Sequence, residues 1–262
     1  MVDIPKAVKR RFRKARSKGQ KLALAPKEPK LLIAQNSLLI LRFVDETSEI
    51  IRGLLLPALE EAQRQDGVPT VIQKTVDLIE LRIAELIDSN QVNKAAEQTA
   101  NEIGAANTKQ LKRLLKVEID PEIQPFIDRF VKDSTLLIKS QSSGVVSQIR
   151  RIIDGKIGAR HEDLASEIEH ALGVRKSKAR FIARDQVLKL NGKITQATQT
   201  SVGIVEYEWV TAGDDDVRDT HEELNGTIQR WDTPPVVSED GRQEHPGGDY
   251  QCRCVALAII PD

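Results

Sequence analysis

Cys252 and Cys254 are the only two cysteines of a 262-residue chain, and they stand one residue apart in the segment HPGGDYQCRCVALAIIPD, residues 245–262. Two of the four histidines, His221 and His245, fall in the same region. Two thiolates and two imidazoles satisfy the sulfur and nitrogen preference and the tetrahedral number of a closed structural zinc site. The same residues admit two other readings: a buried thiol pair beside a hydrogen-bonded histidine, and redox or catalytic use of the thiols. On an ideal strand, residues i and i+2 point to one face about 7 Å apart. That separation is awkward for a mutual disulfide. A shared ion requires the backbone to bend, and Gly247 and Gly248 allow it. Arg253, between the cysteines, faces the other way on a strand, toward an acid such as Asp249 or Asp219.

The acidic group Asp214, Asp215, Asp216 and Asp219 offers oxygen ligands for Mg²⁺ or Ca²⁺ and, with His221, a route to a metal-dependent hydrolase. Its context is a turn, where short acidic side chains cap a helix, and the EF-hand spacing is absent. No glycine-rich phosphate loop, Ser-His-Asp arrangement or spaced glycosidase carboxylates stand out. The expectation is a stabilising cluster and not an enzyme.

The elements that must hold these residues together follow from periodicity. IVEYEWV, residues 204–210, alternates as a strand does, and VALAII, residues 255–260, reads as a closing strand. Between them AGDDD is a turn, Asp215 or Asp216 caps a short helix through VRDTHEEL, and Asn225-Gly226 ends it. All four Trp and Tyr residues (Tyr207, Trp209, Trp231, Tyr250) lie beyond residue 203, which predicts a small separate core there.

Upstream, apolar residues recur at helical steps: Ile33, Ile40, Val44, Ile51 and Leu54 until Pro57 interrupts, then Ile72, Val76, Ile79, Ile83 and Leu86 after the breakers Gly67 and Pro69. A polar, Ala-rich helix spans 91–116, and a further one starts near Pro121 and carries Ile123, Ile127, Phe130 and Leu137. Breaks are expected at Gly155, Gly158 and Gly173. A long helix follows with Ala179, Ala183, Val187, Leu190, Ile194 and Ala197 on one face. The break at Gly173, with Arg175, Lys176, Lys178, Arg180 and Arg184 beyond it, has the look of a DNA-reading helix-turn-helix, but the apolar stripe favours packing. The fold class is α+β: a long helix-rich N-terminal region, then a small mixed C-terminal domain.

Net charge is zero, yet residues 1–30 hold eleven Lys or Arg against two acids, a net +9, leaving −9 on the rest. The block Lys6, Lys9, Arg10, Arg11, Arg13, Lys14, Arg16, Lys18 and Lys21 reads as a basic arm, solvated or attached electrostatically to DNA without sequence preference. No run of 18 apolar residues exists, so no membrane span is expected. The segments are thus 1–30, a basic arm; 31–150, helical; and 151–262, the mixed domain.

Taken in order, the C-terminal residues resemble the phage head-morphogenesis family typified by the F protein of phage Mu. The resemblance rests on Ala183-Arg184 on a helix, Asn191 seven residues on, Gly203 before a strand, and Trp209. It continues through Asp216, Arg218, His221, Leu224 and Asn225-Gly226, then Pro-Gly and Cys-Arg-Cys with Arg253 at its centre. It covers residues 150–260. It implies a minor capsid protein of the virion, internal to the procapsid near the portal, with portal protein and major capsid or scaffolding protein as partners and a role in assembly and in DNA packaging or ejection. Some members carry Cys-x-x-Cys where this chain has Arg218 and His221. Arginine is no ligand, so the zinc set implied here is His221, His245, Cys252 and Cys254.

Overall fold

The computed structural model describes residues 4–17, 30–64, 69–88, 91–155 and 161–260. Lys18, Lys21, Gly67 and Gly158 lie outside the described residues, as does the side chain of Arg16. Among the described residues seven helices and three strands follow in chain order: α1 Lys6–Ser17, α2 Lys30–Arg64, α3 Pro69–Asp88, α4 Gln91–Leu115, α5 Gln124–Gly155, α6 His161–Ser201, β1 Glu206–Val210, α7 Asp219–Glu222, β2 Ile228–Arg230 and β3 Val255–Ile259. The α+β class holds, with a helix-rich N-terminal region and a small antiparallel sheet near the C-terminus.

The described chain groups into two compact units, neither continuous in sequence. One comprises Met1–Ala34, Glu97–Phe130 and Arg184–Asp262; the other comprises Gln35–Ala96 and Val131–Ala183. The all-helical unit is built on the expected stripes. Ile51, Leu55 and Leu59 of α2, Val76, Ile79 and Ile83 of α3, and Val145 and Ile149 of α5 form one buried cluster with Leu164, Ile168 and Leu172 of α6. Two expected breaks do not occur. Pro57 lies inside α2, because the turns on either side bury Ile51, Leu55 and Leu59 almost completely and that packing outweighs the lost backbone hydrogen bond. Gly173 lies inside α6, a single helix of 41 residues.

The helix-turn-helix reading therefore fails. Its turn is helix, and two of its basic residues are engaged within the unit. Arg175 donates to the Gly144 carbonyl at 3.1 Å and to Gln148 at 3.3 Å, and Lys176 pairs with Asp45 at 2.8 Å. Helix α5 likewise begins at Gln124 and not at Pro121.

The mixed unit carries the sheet, in the order β2-β1-β3 with both pairings antiparallel. Strand β1 keeps the expected alternation, with Tyr207 and Trp209 fully buried. Strand β2 was not foreseen: three residues are too few to show a period. The basic arm is not simply solvated, since α1 sits within it and Ile4 and Val8 are buried against Leu111, Leu115, Ile119, Val202, Ile204 and Leu257. Lys6, Arg10, Arg11, Arg13 and Lys14 remain exposed.

Candidate metal centre

Helix α7 and the segment before β3 bring three of the four expected ligands together. Nδ1 of His221 lies 3.7 Å from Sγ of Cys252 and 3.5 Å from Sγ of Cys254. All three side chains are buried, and their donor atoms lie within 4.8 Å of one another. Among the described residues no other His, Cys, Asp or Glu joins the group. Cysteines on a straight strand cannot converge in this way. Here both precede β3, in a hook whose Gly247 (φ 83°) and Gln251 (φ 53°) are left-handed. Gln251 is not a glycine and its conformation is costly; its backbone N–H is held by the buried carboxylate of Asp185 at 2.6 Å. The hook is pressed against α6 at Gly192, where a methyl group would stand 2.7 Å from the Pro246 carbonyl oxygen.

The donor set fits a zinc ion. With Zn–S near 2.3 Å and Zn–N near 2.05 Å, a tetrahedron has N-to-S edges of about 3.6 Å, and the two observed separations bracket that value. The local electrostatics already favour a thiolate. The Cys252 thiol is pulled down to about 5, first by its hydrogen bond from Cys254, and it also accepts the Gly247 N–H at 3.4 Å. Cys254 is pushed up by the same shared proton and by burial, and the hydrogen bond with Cys252 raises His221.

His245 does not join the group. Its Nδ1 is 2.8 Å from Oη of Tyr207, and its ring meets Trp231 edge-on at 4.9 Å. Proximity in sequence to the cysteines misleads, because the Gly247 bend turns the chain between them. Burial lowers His245 to about 4 and raises Tyr207, so a neutral Tyr207 donates to a neutral imidazole. The unfolded histidine takes a proton near pH 6.5 while the folded one does not. The stabilisation is complete above 6.5 and is lost as pH falls toward 4. The expected result is a melting temperature that declines from pH 7 to pH 5 even without metal, with a shallower decline in His245→Gln. Thermal scans of both proteins across that range check it.

The remaining motif residues surround the group. Trp209 meets the His221 ring edge-on at 5.6 Å. Arg218 donates to the Tyr250 carbonyl at 2.6 Å and lies 3.3 Å from Asp249. Gly226 is left-handed (φ 79°) and donates to the Trp209 carbonyl at 2.8 Å. Asn191 accepts from Asn107 at 3.4 Å, and Arg184 lies near enough to Asp214 to help lower its carboxyl, after Arg253. Arg253 pairs with Asp214 and, at 3.7 Å, with Asp216. The expected cap at Asp215 or Asp216 does not form: α7 starts at Asp219, and Arg218 at its N-cap makes no side-chain cap bond. The acidic turn is thus tied to the cysteine segment by charge, and its carboxylates do not join His221 as a hydrolase would need. Sequence reasoning passed over Asp185 and undervalued Asp249, which is 3% exposed and faces Nε2 of His221 at 3.3 Å. The one available signal was an acid inside the hook, in GGDY.

No helix among the described residues is long and apolar enough to cross a membrane. No solved structure matches the chain. An uncharacterized protein of Haemophilus influenzae (strain ATCC 51907 / DSM 11121 / KW20 / Rd) is 33% identical over 142 residues, which cover 53% of this chain and 31% of that protein. The chain thus spans about a third of the length of the curated relative it matches. Residues 149–257, which enclose β1, α7, β2 and all three members of the buried group, match the family described as Phage Mu protein F like protein.

Proposed function

We propose that this protein is a minor capsid protein of a tailed phage, internal to the procapsid and associated with the portal vertex, serving head assembly and DNA packaging or ejection. The observation that carries the reading is the coincidence of the family match with the closed module: its motif residues gather around a buried His221, Cys252 and Cys254. Side chains packed in this way serve the integrity of a binding module, so the role is structural and not catalytic. Zn²⁺ is the ion that suits two sulfurs and a nitrogen, and when bound it supplies a cross-link between α7 and the cysteine hook. Portal protein and major capsid or scaffolding protein are the partners. Purified chain immobilised against each of these is the test. Retention of portal protein is the expected outcome, and failure to retain any of the three overturns the proposal.

The basic N-terminal segment is assigned to DNA, through phosphates and without sequence preference. Deleting it is a poor test, because Ile4 and Val8 belong to a buried cluster. Reversing Lys6, Arg10 and Arg11 to Glu leaves that cluster covered. The triple variant is expected to bind duplex DNA at least tenfold more weakly at moderate salt, with the slope of log affinity against log salt reduced by about 3. Fluorescence anisotropy with two unrelated duplexes reads both effects, and the two duplexes should behave alike.

A further inference from the structure

An imidazole ligates a metal only through a nitrogen that carries no proton, so something must decide which of its two nitrogens keeps the proton. In His221 the nitrogens face different surroundings. Nδ1 looks at the two sulfurs, and Nε2 looks at Oδ2 of Asp249, 3.3 Å away. Nε2 is buried and makes no hydrogen bond in this geometry; the polar group beside it is the Asp249 carboxylate, at ion-pair distance. Asp249 is itself buried, a placement that costs several kcal/mol for an uncompensated carboxylate. Two guanidinium groups compensate it: Arg242 Nη1 reaches Oδ1 at 2.5 Å, and Arg218 Nη1 reaches Oδ2 at 3.3 Å. Arg218 is anchored in turn on the Tyr250 carbonyl. Neither arginine touches the sulfurs in any hydrogen bond of the site; what they fix is the carboxylate. The edge-on contact with Trp209 limits rotation of the imidazole ring.

We propose that Asp249, clamped between Arg218 and Arg242, is the positioning residue of this centre: it holds the proton on Nε2 of His221 and thereby presents Nδ1 to the metal shared with Cys252 and Cys254. The inference rests on the zinc reading above. It also assigns Asp249 away from the ligand set, since its two oxygens are engaged by Arg218 and Arg242. Arg218 thus serves the histidine ligand indirectly, through Asp249.

The test uses the full chain with Zn²⁺ as the probe. In the wild-type protein, long-range ¹H–¹⁵N correlation should show His221 with its proton on Nε2 and Nδ1 coordinated once Zn²⁺ is added. Competition with a chromophoric chelator should show Asp249→Asn binding one Zn²⁺ with affinity lowered 10- to 100-fold. Coordination through Nε2 in the wild-type protein overturns the proposal, and that measurement does not depend on any variant folding. Equal affinity of wild type and Asp249→Asn overturns it as well, while leaving the zinc reading in place. Absence of Zn²⁺ binding by the wild-type protein overturns both.

Discussion

Treating the purified protein with a strong chelator is expected to shift its tryptophan emission to the red and to lower its melting temperature by roughly 10 °C. Cys252→Ser or Cys254→Ser should produce the same change without chelator. The chain's only two tryptophans, Trp209 and Trp231, lie in one buried cluster with Tyr207, Val237 and both cysteines. Their emission therefore reports this module. A ligand that binds only the folded state stabilises it by about 4 kcal/mol at a thousand times its dissociation constant. In a protein of this size each kcal/mol moves the midpoint by about 2–4 °C. If the group is instead a packed thiol pair, chelator has no effect and each serine costs only the one or two kcal/mol of a polar atom placed in an apolar site. Elemental analysis alongside the thermal scan separates the two cases.

Gly192→Ala is expected to destabilise the protein by about 2 kcal/mol, whereas Gly173→Ala, in the same helix, is expected to stabilise it by about 0.5–1 kcal/mol. Helix propensity favours alanine over glycine by about 1 kcal/mol at both positions. At Gly173 nothing lies within 4 Å of the added carbon, so propensity decides the sign. At Gly192 the added methyl meets the Pro246 carbonyl oxygen at 2.7 Å. That oxygen belongs to a segment held by buried His245 and Asp249 and by the left-handed Gly247, whose own added carbon would stand 3.0 Å from the Leu188 carbonyl oxygen. The backbone there has little room to retreat, and a shift of the hook would also spread the cysteines. Gly192→Ala should therefore weaken zinc binding as well as stability. The pair of substitutions also tests the continuity of α6: a left-handed cap at Gly173 would make its alanine variant unstable. Urea titration followed by circular dichroism reads both variants.

Two different kinds of information were legible in the chain. The stripes on α2, α3, α5 and α6 could be read because a helix repeats its buried face every 3.6 residues and the sequence records that repeat directly. Strand β1 was legible for the same reason at period two, and β3 as a short continuous apolar run. Helix ends were not. Pro57 and Gly173 carry strong local signals for interruption, yet the buried residues on both sides hold the helices through them. Local propensity is worth one to three kcal/mol at such positions, and a few buried aliphatic side chains outweigh it.

The sequence alone determined the donor chemistry: two sulfurs, nearby imidazoles, and a motif order that resembles one family. It could not choose between His221, thirty-one residues before Cys252, and His245, seven residues before it. Tertiary structure decided for the distant one. Antiparallel pairing of β1 with β3 and the return of α7 carry His221 back to the hook, while the Gly247 bend turns His245 toward Tyr207. The acids sorted themselves in the same way, Asp214 onto Arg253 and Asp249 onto Arg218, Arg242 and His221. Residue types limit what a site can bind, but which side chains converge depends on strand pairing and on left-handed turns, and these follow from burial across the whole unit and not from distance along the chain.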